Sequence, residues 1–348
     1  MRKYLFTSLF LTFIVFFVPW LLADPVSEDN SPPPETAVSP ALTPESAEPP
    51  PSPIVPTGER DSAQMLRVLI GDEVVTMDMG TYLVGVVRSE MPAVFEVEAL
   101  KAQAVAARTY TLYKMENGGS ANHPQADTCD NINCCKAYMD AATASENWGE
   151  SAQIYEEKIR DAVRSTDGQC ILYEGLPILA VFHSSSAGAT LDAAAVWSES
   201  LPYLVSVSSP EDSETVPGYY SSATFPIAVL RSLLQTELPE ADLSSAPTDW
   251  FTGIRQTPSG AVTELVVGGV KVTGNRLRTI LGLRSPSFTI SFEDGNVTFS
   301  VIGYGHGVGM SQYGANVLAS SGMDYREILA WYYTGTTIDV LSAKTGLS

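Results

Sequence analysis

The segment Arg88-Ser89-Glu90-Met91-Pro92 places a carboxyl where the chain must turn. Proline disfavours helical geometry in the residue before it, so a helix that runs to Glu90 ends there. The C-terminal end of a helix carries partial negative charge, which opposes ionisation of a carboxyl and raises its pKa. A general acid working near neutral pH needs a raised pKa, so Glu90 is the candidate catalytic acid. A plain surface carboxylate would have the same local sequence, and spacing alone favours that reading.

A second group is His123-x5-Cys129-x4-Cys134-Cys135. One imidazole and three thiolates in a short loop are zinc-type ligands, and four of them close a tetrahedral site of the structural kind. The alternative is disulfide chemistry in an exported chain, with Cys129 paired to Cys135 or one loop cysteine to Cys170.

A third is Val181-Phe182-His183-Ser184-Ser185-Ser186-Ala187-Gly188, a histidine followed by hydroxyls. It reads as hydrolase chemistry, as a set of polar sugar-binding groups, or as a serine-rich turn. No Asp is placed by sequence to orient His183, and a G-x-S-x-G elbow is missing. The fourth runs from Gly303 to Ala315 and carries His306 and Gln312. Glycines at 303, 305, 307 and 309 allow close backbone approach. This is not a phosphate loop, because no Lys-Ser/Thr follows it.

The elements that must position these groups are an intermixture of helices and hairpins. Leu66–Ile70 and Glu73–Met77 predict a hairpin turning at Gly71-Asp72, followed by a helix over Thr81–Glu90. A long helix over Glu96–Asn117 has an apolar stripe at Val97, Leu100, Ala104, Ala107 and Thr111. Ala121–Ala137 reads as a polar loop and Ala152–Ser165 as a helix. Cys170–Tyr173 and Pro177–Phe182 read as a hairpin, and Val205–Pro226 as an irregular loop. Beyond it, a helix is expected over Ile227–Thr236 and another over Thr273–Leu281. Strands are expected at Val262–Val267, Val270–Val272, Phe288–Phe292 and Val297–Val301. Two helices, Ser311–Ser320 and Asp324–Tyr333, close the chain. The class is α+β, without regular βαβ units, as one large body or two lobes.

The chain has 348 residues, of which 45% are apolar, and a net charge of −20. That charge argues against nucleic acid and anionic lipid as partners. Residues 1–23, with Arg2 and Lys3 ahead of an apolar run, predict a transmembrane signal anchor that leaves the rest of the chain outside the membrane. A cleaved signal peptide is the rival reading, with bulky Leu21 ahead of Ala23 against it. Residues 24–64, rich in Pro, Ser, Glu and Ala, predict a disordered tether, and 65–341 the functional domain.

The four segments, in this order, resemble the stage II sporulation protein D family, the peptidoglycan lytic transglycosylases of endospore formers, and the related amidase-enhancer proteins. The motifs carrying the resemblance are Arg88–Pro92, Glu98–Tyr110, Phe182–Gly188 with Thr190, and Gly305–Ala315. The resemblance covers Met65 to about Val340. It implies that Glu90 is the catalytic glutamate of an enzyme cleaving the bond between N-acetylmuramic acid and N-acetylglucosamine without water, leaving 1,6-anhydro ends. It implies glycan strands already stripped of stem peptides, a partner amidase, the membrane scaffold of engulfment, and a place on the septal cell membrane. Some family members hold zinc in the loop after the long helix. His123, Cys129 and Cys135 match those positions, while Cys134 stands where a His is expected. This favours a structural zinc over a disulfide and leaves Cys170 as a core thiol. Arg88, Ser89, Gln103, Arg108, His183, Ser184, Ser186, His306 and Gln312 are the candidates for lining the groove, with a structural ion pair an equal reading of Arg108. A hydrolase would ordinarily need a second carboxylate; Glu96 and Glu98 lie beyond the Pro92 turn. The alternatives are a non-catalytic, glycan-binding amidase enhancer and a metallohydrolase at the His/Cys loop. Three thiolates leave the latter little room for an open coordination position.

Overall fold

The structure, a computed structural model, describes residues 58–119, 122–197 and 200–341. The expected anchor and the tether as far as residue 57 lie outside the described residues. Among the described residues, no helix is long and apolar enough to cross a membrane.

Helices and antiparallel sheets are mixed, as the α+β reading expects, and they wrap two hydrophobic cores. The first core centres on the helix Val97–Glu116. The sequence suggests a stripe, but this helix is enclosed along most of its length, with Val97 at 37% exposure. Alanines at 99, 102, 104, 106 and 107 are fully buried, which lets several neighbours approach its axis. Those neighbours include the helices Met79–Glu90, Ala152–Ser165, Gln312–Ser320 and Tyr325–Tyr332. A helix rich in small and apolar residues and buried on most of its faces belongs in the middle of a body rather than on its surface.

The glutamate helix starts and stops for identifiable reasons. Asp78 caps it, accepting from the Thr81 N–H at 2.9 Å and from its hydroxyl at 2.6 Å. It ends at Glu90, after which Met91 is extended ahead of Pro92. The preceding hairpin, Met65–Ile70 with Glu73–Asp78, is the one expected at Gly71-Asp72.

The second core is built from residues of the 230–301 range. It lies under two three-stranded antiparallel sheets, one of strands 251–256, 262–267 and 270–273, the other of 220–226, 296–302 and 288–293. The glycine loop after Ile302 returns the chain to the first core, where Tyr304 and Ser185 exchange backbone hydrogen bonds.

Several expectations need correction. The folded body begins before Met65: Glu59–Ala63 is a short helix, so residues 59–64 do not belong to the tether. The stretch 205–226 is not loop throughout, since Tyr220–Pro226 is a full strand paired with Asn296–Ile302. The second arm of the 170–182 hairpin shrinks to Leu176–Pro177, and Phe182–His183 pairs elsewhere, parallel to Met310–Ser311. The 121–137 loop contains a short strand, Thr128–Cys129, beside Val68 and Leu69. The helix Ala141–Trp148 and the strands Phe251–Gln256 and Thr337–Val340 are additions.

Candidate active site and metal cluster

Glu90 is half-buried at the end of its helix. Its Oε1 accepts the backbone N–H of Ala137 at 3.2 Å. Burial pushes its pKa up, against the opposing pull of the Lys136 charge, the Ala137 N–H and the Gln312 amide. Lys136 is buried between two aromatic faces, 3.7 Å from the centroid of Phe182 and 4.1 Å from that of Tyr110. Burial pushes its pKa down to about 8, with the Glu90 charge opposing. Gln312 also donates from Nε2 to Oε1 of buried Gln103 at 3.3 Å. Glu90, Lys136, Gln103 and Gln312 thus form one polar group, with half-buried Ser89 next to it in the chain.

The pairing of Phe182–His183 with Met310–Ser311 joins the histidine–serine segment to the glycine loop. His183 donates from Nδ1 to the carbonyl of Val308 at 3.1 Å, because a carbonyl can only accept. Its Nε2 therefore accepts the Ser186 hydroxyl at 2.7 Å. Burial lowers the His183 pKa to about 4, so the ring is neutral. His306 accepts the Val308 N–H at Nδ1, and its ring lies 5.7 Å from His183 and 5.5 Å from Trp197. Its pKa is also low, from burial first and then from the neighbouring His183 ring and the Lys136 and Arg278 charges. The loop needs its glycines here. Gly305 has φ of 116°, and an added Cβ would stand 2.6 Å from the His183 Cβ.

Behind this wall sits Glu211, buried and held entirely by uncharged donors. It accepts the Ser186 N–H at 2.6 Å and the hydroxyls of Ser311 and Ser209 at 2.5 Å each. Ser209 also bonds the Tyr332 hydroxyl at 2.8 Å. Gly314 gives this network space, since a Cβ there would lie 2.1 Å from the Tyr332 oxygen.

The predicted groove residues divide. Gln103 and Gln312 reach Glu90's surroundings, and His306 is half-buried close to Lys136. His183 and Ser186 are buried against each other and form a wall. Ser184 is half-buried, and its carbonyl holds the Tyr313 N–H at 3.0 Å. Arg88 and Arg108 do not join the group. Arg88 is committed to Glu156 and to the Met139 carbonyl. Arg108 pairs bidentately with Asp61, at 2.8 and 2.6 Å, with both side chains fully enclosed. Both are structural ion pairs. Lys136 and Glu211 escaped the sequence reading. The only local signal for Lys136 was its place directly after Cys134-Cys135; Glu211 had none.

The ligand atoms of His123, Cys129, Cys134 and Cys135 all lie within 4.8 Å of one another. His123 Nε2 is 3.3 Å from the Cys135 sulfur and 3.4 Å from the Cys134 sulfur, and the two sulfurs are 3.7 Å apart. Zinc–sulfur bonds of about 2.3 Å at tetrahedral angles put sulfurs about 3.8 Å apart, so the spacing fits a closed zinc site. The His123 tautomer fits as well. Its Nδ1–H is held by the Ala126 carbonyl at 3.1 Å, which leaves the Nε2 lone pair facing the sulfurs. None of the four cysteines is in a disulfide, and Cys170 is buried in the first core.

A family model described as stage II sporulation protein (SpoIID) matches residues 71–173, which hold Glu90, the long helix and the thiol cluster. Stage II sporulation protein D of Bacillus subtilis (strain 168) is 40% identical over 262 residues, covering 75% of this chain and 74% of that protein. Its counterpart in Bacillus amyloliquefaciens is 37% identical over 267 residues, covering 77% and 75%. The chain belongs to the stage II sporulation protein D family, whose members are sporulation proteins. It is also similar to the amidase enhancer of Bacillus subtilis (strain 168), 30% identical over 303 residues and covering 74% of this chain and 40% of that one.

Proposed function

We propose that the chain is a lytic transglycosylase of the sporulation cell wall, anchored to the membrane by residues 1–23, with Glu90 as its single catalytic acid. The observation that carries this reading is the raised pKa of a half-buried Glu90 whose surroundings supply one cation and two neutral donors. Glu98 offers no second acid, because it is spent on Lys101 at 2.6 Å and on the Tyr325 N–H at 3.0 Å. The substrate is glycan already stripped of stem peptides by a partner amidase, within the membrane scaffold of engulfment.

The protonated Glu90 gives its proton to the glycosidic oxygen as the bond from that oxygen to C1 of the muramic acid breaks. The carboxylate left behind is stabilised by the Lys136 ammonium and the Ala137 N–H. It then takes the proton of the muramic 6-hydroxyl as that oxygen bonds to C1. The 1,6-anhydro ring closes, Glu90 regains its proton, and no water is consumed. His123, Cys129, Cys134 and Cys135 would hold a zinc ion, which would supply structural cross-linking of the loop that presents Lys136 and Ala137.

The test is digestion of purified, peptide-free glycan by the full chain and by its Glu90→Gln variant, with mass analysis of the ends. Anhydro-ended products from the first and none from the second are expected; products from both, or from neither, would overturn the assignment. The second reading is a glycan-binding stimulator of an amidase, supported by the likeness to the amidase enhancer. It predicts no products from either form, with stimulation of the amidase intact in both.

A further inference from the structure

The sheet of strands 220–226, 296–302 and 288–293 has one face in the second core. There Phe299 pairs with Ala223 and Ile290, and Val297 with Phe225 and Phe292. Side chains alternate along a strand, so the remaining positions define the outer face. Ser222, Ser300 and Thr289 form one row across all three strands, and Thr224, Thr298 and Ser291 form the next. The Thr224 and Thr298 hydroxyls are 2.9 Å apart. Charge enters this face only at Glu293, beside the hairpin turn.

Strand preference does not account for this pattern. Threonine is favoured in strands, but serine is not among the favoured types, and half of the six positions are serine. Lysine is a usual guard of an edge strand, and the edge strands 220–226 and 288–293 of this sheet have none. This face has six hydroxyls and no lysine in a chain of net charge −20.

At the Tyr220 end a cavity of about 550 Å³ opens, lined among others by Tyr220, Ser222, Gln256, Ser259, Thr289 and Ser300. That volume is in the range of small-molecule sites. Tyr220 is 64% exposed and rests edge-on against Tyr219, with centroids 5.2 Å apart. The cavity lining has no charged group. An exposed aromatic plate offers an apolar surface to the ring hydrogens of a pyranose. Hydroxyls and an amide match sugar hydroxyls and acetamido groups. The absence of carboxylates removes repulsion of an acidic sugar.

We infer that this cavity and the hydroxyl face are a second, non-catalytic binding site for an N-acetylated amino-sugar strand. It rests on the proposed function only in taking peptide-free wall glycan as that strand. The site belongs to a different core from Glu90, and strand 296–302 runs directly into the loop that carries His306.

The experiment titrates the full chain carrying Glu90→Gln with a hexamer of N-acetylglucosamine and with peptide-free glycan, by calorimetry. The same chain is then tested with Tyr220→Ala and, separately, with Ser300→Glu. Both positions are exposed, and circular dichroism checks that the fold is kept. Each change should weaken binding roughly tenfold or more, as expected for an aromatic anchor and a buried-on-binding contact. Unchanged affinity in both variants would overturn the site. So would a dimer of the parent chain that Ser300→Glu dissociates, since a second copy would then be the occupant. If Tyr220-dependent binding holds while the wild type makes no anhydro ends, the catalytic reading fails and this one stands. If the wild type cleaves and neither change affects binding, this inference alone fails.

Discussion

Ala137 donates its backbone N–H to the Glu90 carboxyl across 3.2 Å, although 47 residues separate them in the chain. The two residues before it in space and sequence explain why this contact matters. Cys135 belongs to the thiol–imidazole cluster, and Lys136 supplies the cation that faces Glu90. Four consecutive residues, Cys134 to Ala137, therefore tie the cluster to the acid. The Cys134 carbonyl is itself held by the Lys114 ammonium at 2.9 Å, which fixes the loop to the long helix.

Removal of the metal should therefore damage both stability and activity. One zinc per chain is expected on elemental analysis of the purified protein. Chelation, or Cys135→Ser, should lower the melting temperature. It should also reduce formation of anhydro ends by about 100-fold, the cost of displacing a catalytic group by about 1 Å. A chelated chain that keeps full activity would separate the cluster from the acid.

Burial and the charge of Lys136 act on Glu90 in opposite directions, with burial the larger. Burial raises the Glu90 pKa and Lys136 lowers it, so Lys136→Met should raise it further. An acid that must be protonated loses activity as pH rises through its pKa. The alkaline limb of the pH–rate profile should accordingly move to higher pH in Lys136→Met. A limb that stays in place would show that Lys136 does not act on Glu90.

The same raised pKa has a consequence for stability. The folded chain holds the Glu90 proton more tightly than the unfolded chain. The resulting stabilisation is full below the ordinary carboxyl pKa and is lost as pH rises through the folded-state value. Glu90→Gln removes a buried charge at neutral pH and should be more stable there than the wild type. The difference should vanish at acid pH in melting curves taken across that window. A variant less stable than the wild type at neutral pH would contradict the burial account.

How much of this was legible in the sequence follows from where each interaction comes from. The turn after Glu90 is dictated by Pro92, and the Asp78 cap and the Gly71-Asp72 hairpin are equally local. The strand Tyr220–Pro226 was hidden because its outward residues are Tyr220, Ser222, Thr224 and Pro226, while its inward ones, Ser221, Ala223 and Phe225, include only one large apolar side chain, so no apolar alternation shows. Arg88 read as a groove residue, and Arg108 equally as a groove residue or an ion pair, because their partners, Glu156 and Asp61, are brought in by tertiary packing. Glu211 was invisible for the same reason. Its donors come from residues 186, 209 and 311, which only the parallel pairing of Phe182–His183 with Met310–Ser311 brings close.

Glu211 should be a strong stability determinant for a group that touches no cation. Hydrogen bonds to charged groups contribute about 1.5–3 kcal/mol each. Glu211→Gln turns one acceptor oxygen into a donor that faces a hydroxyl or an N–H. A loss of about 2–4 kcal/mol in urea unfolding is expected. Gly314→Ala, which drives a methyl into the Tyr332 hydroxyl, should cost about 1–3 kcal/mol by overpacking. Values near zero for both would mean that the network relaxes freely.

The Asp61–Arg108 pair sets where the folded body begins. Both side chains are enclosed, and the Arg108 guanidinium also donates to the Gln169 carbonyl at 3.1 Å. Asp61 lies in a stretch whose composition resembles the tether, yet among the described residues its carboxylate is the only acidic partner that bonds this buried cation. Removing one member of a buried pair leaves an uncompensated charge, at a cost of about 3–5 kcal/mol. A chain starting at Met65 should therefore be less stable by that amount than one starting at Gly58, and Asp61→Asn should reproduce most of the loss. Replacing both members, Asp61→Asn with Arg108→Met, should recover part of it, because the stranded charge is gone. Equal denaturation midpoints for the two truncations would place the boundary at Met65 after all and reduce the pair to a peripheral contact.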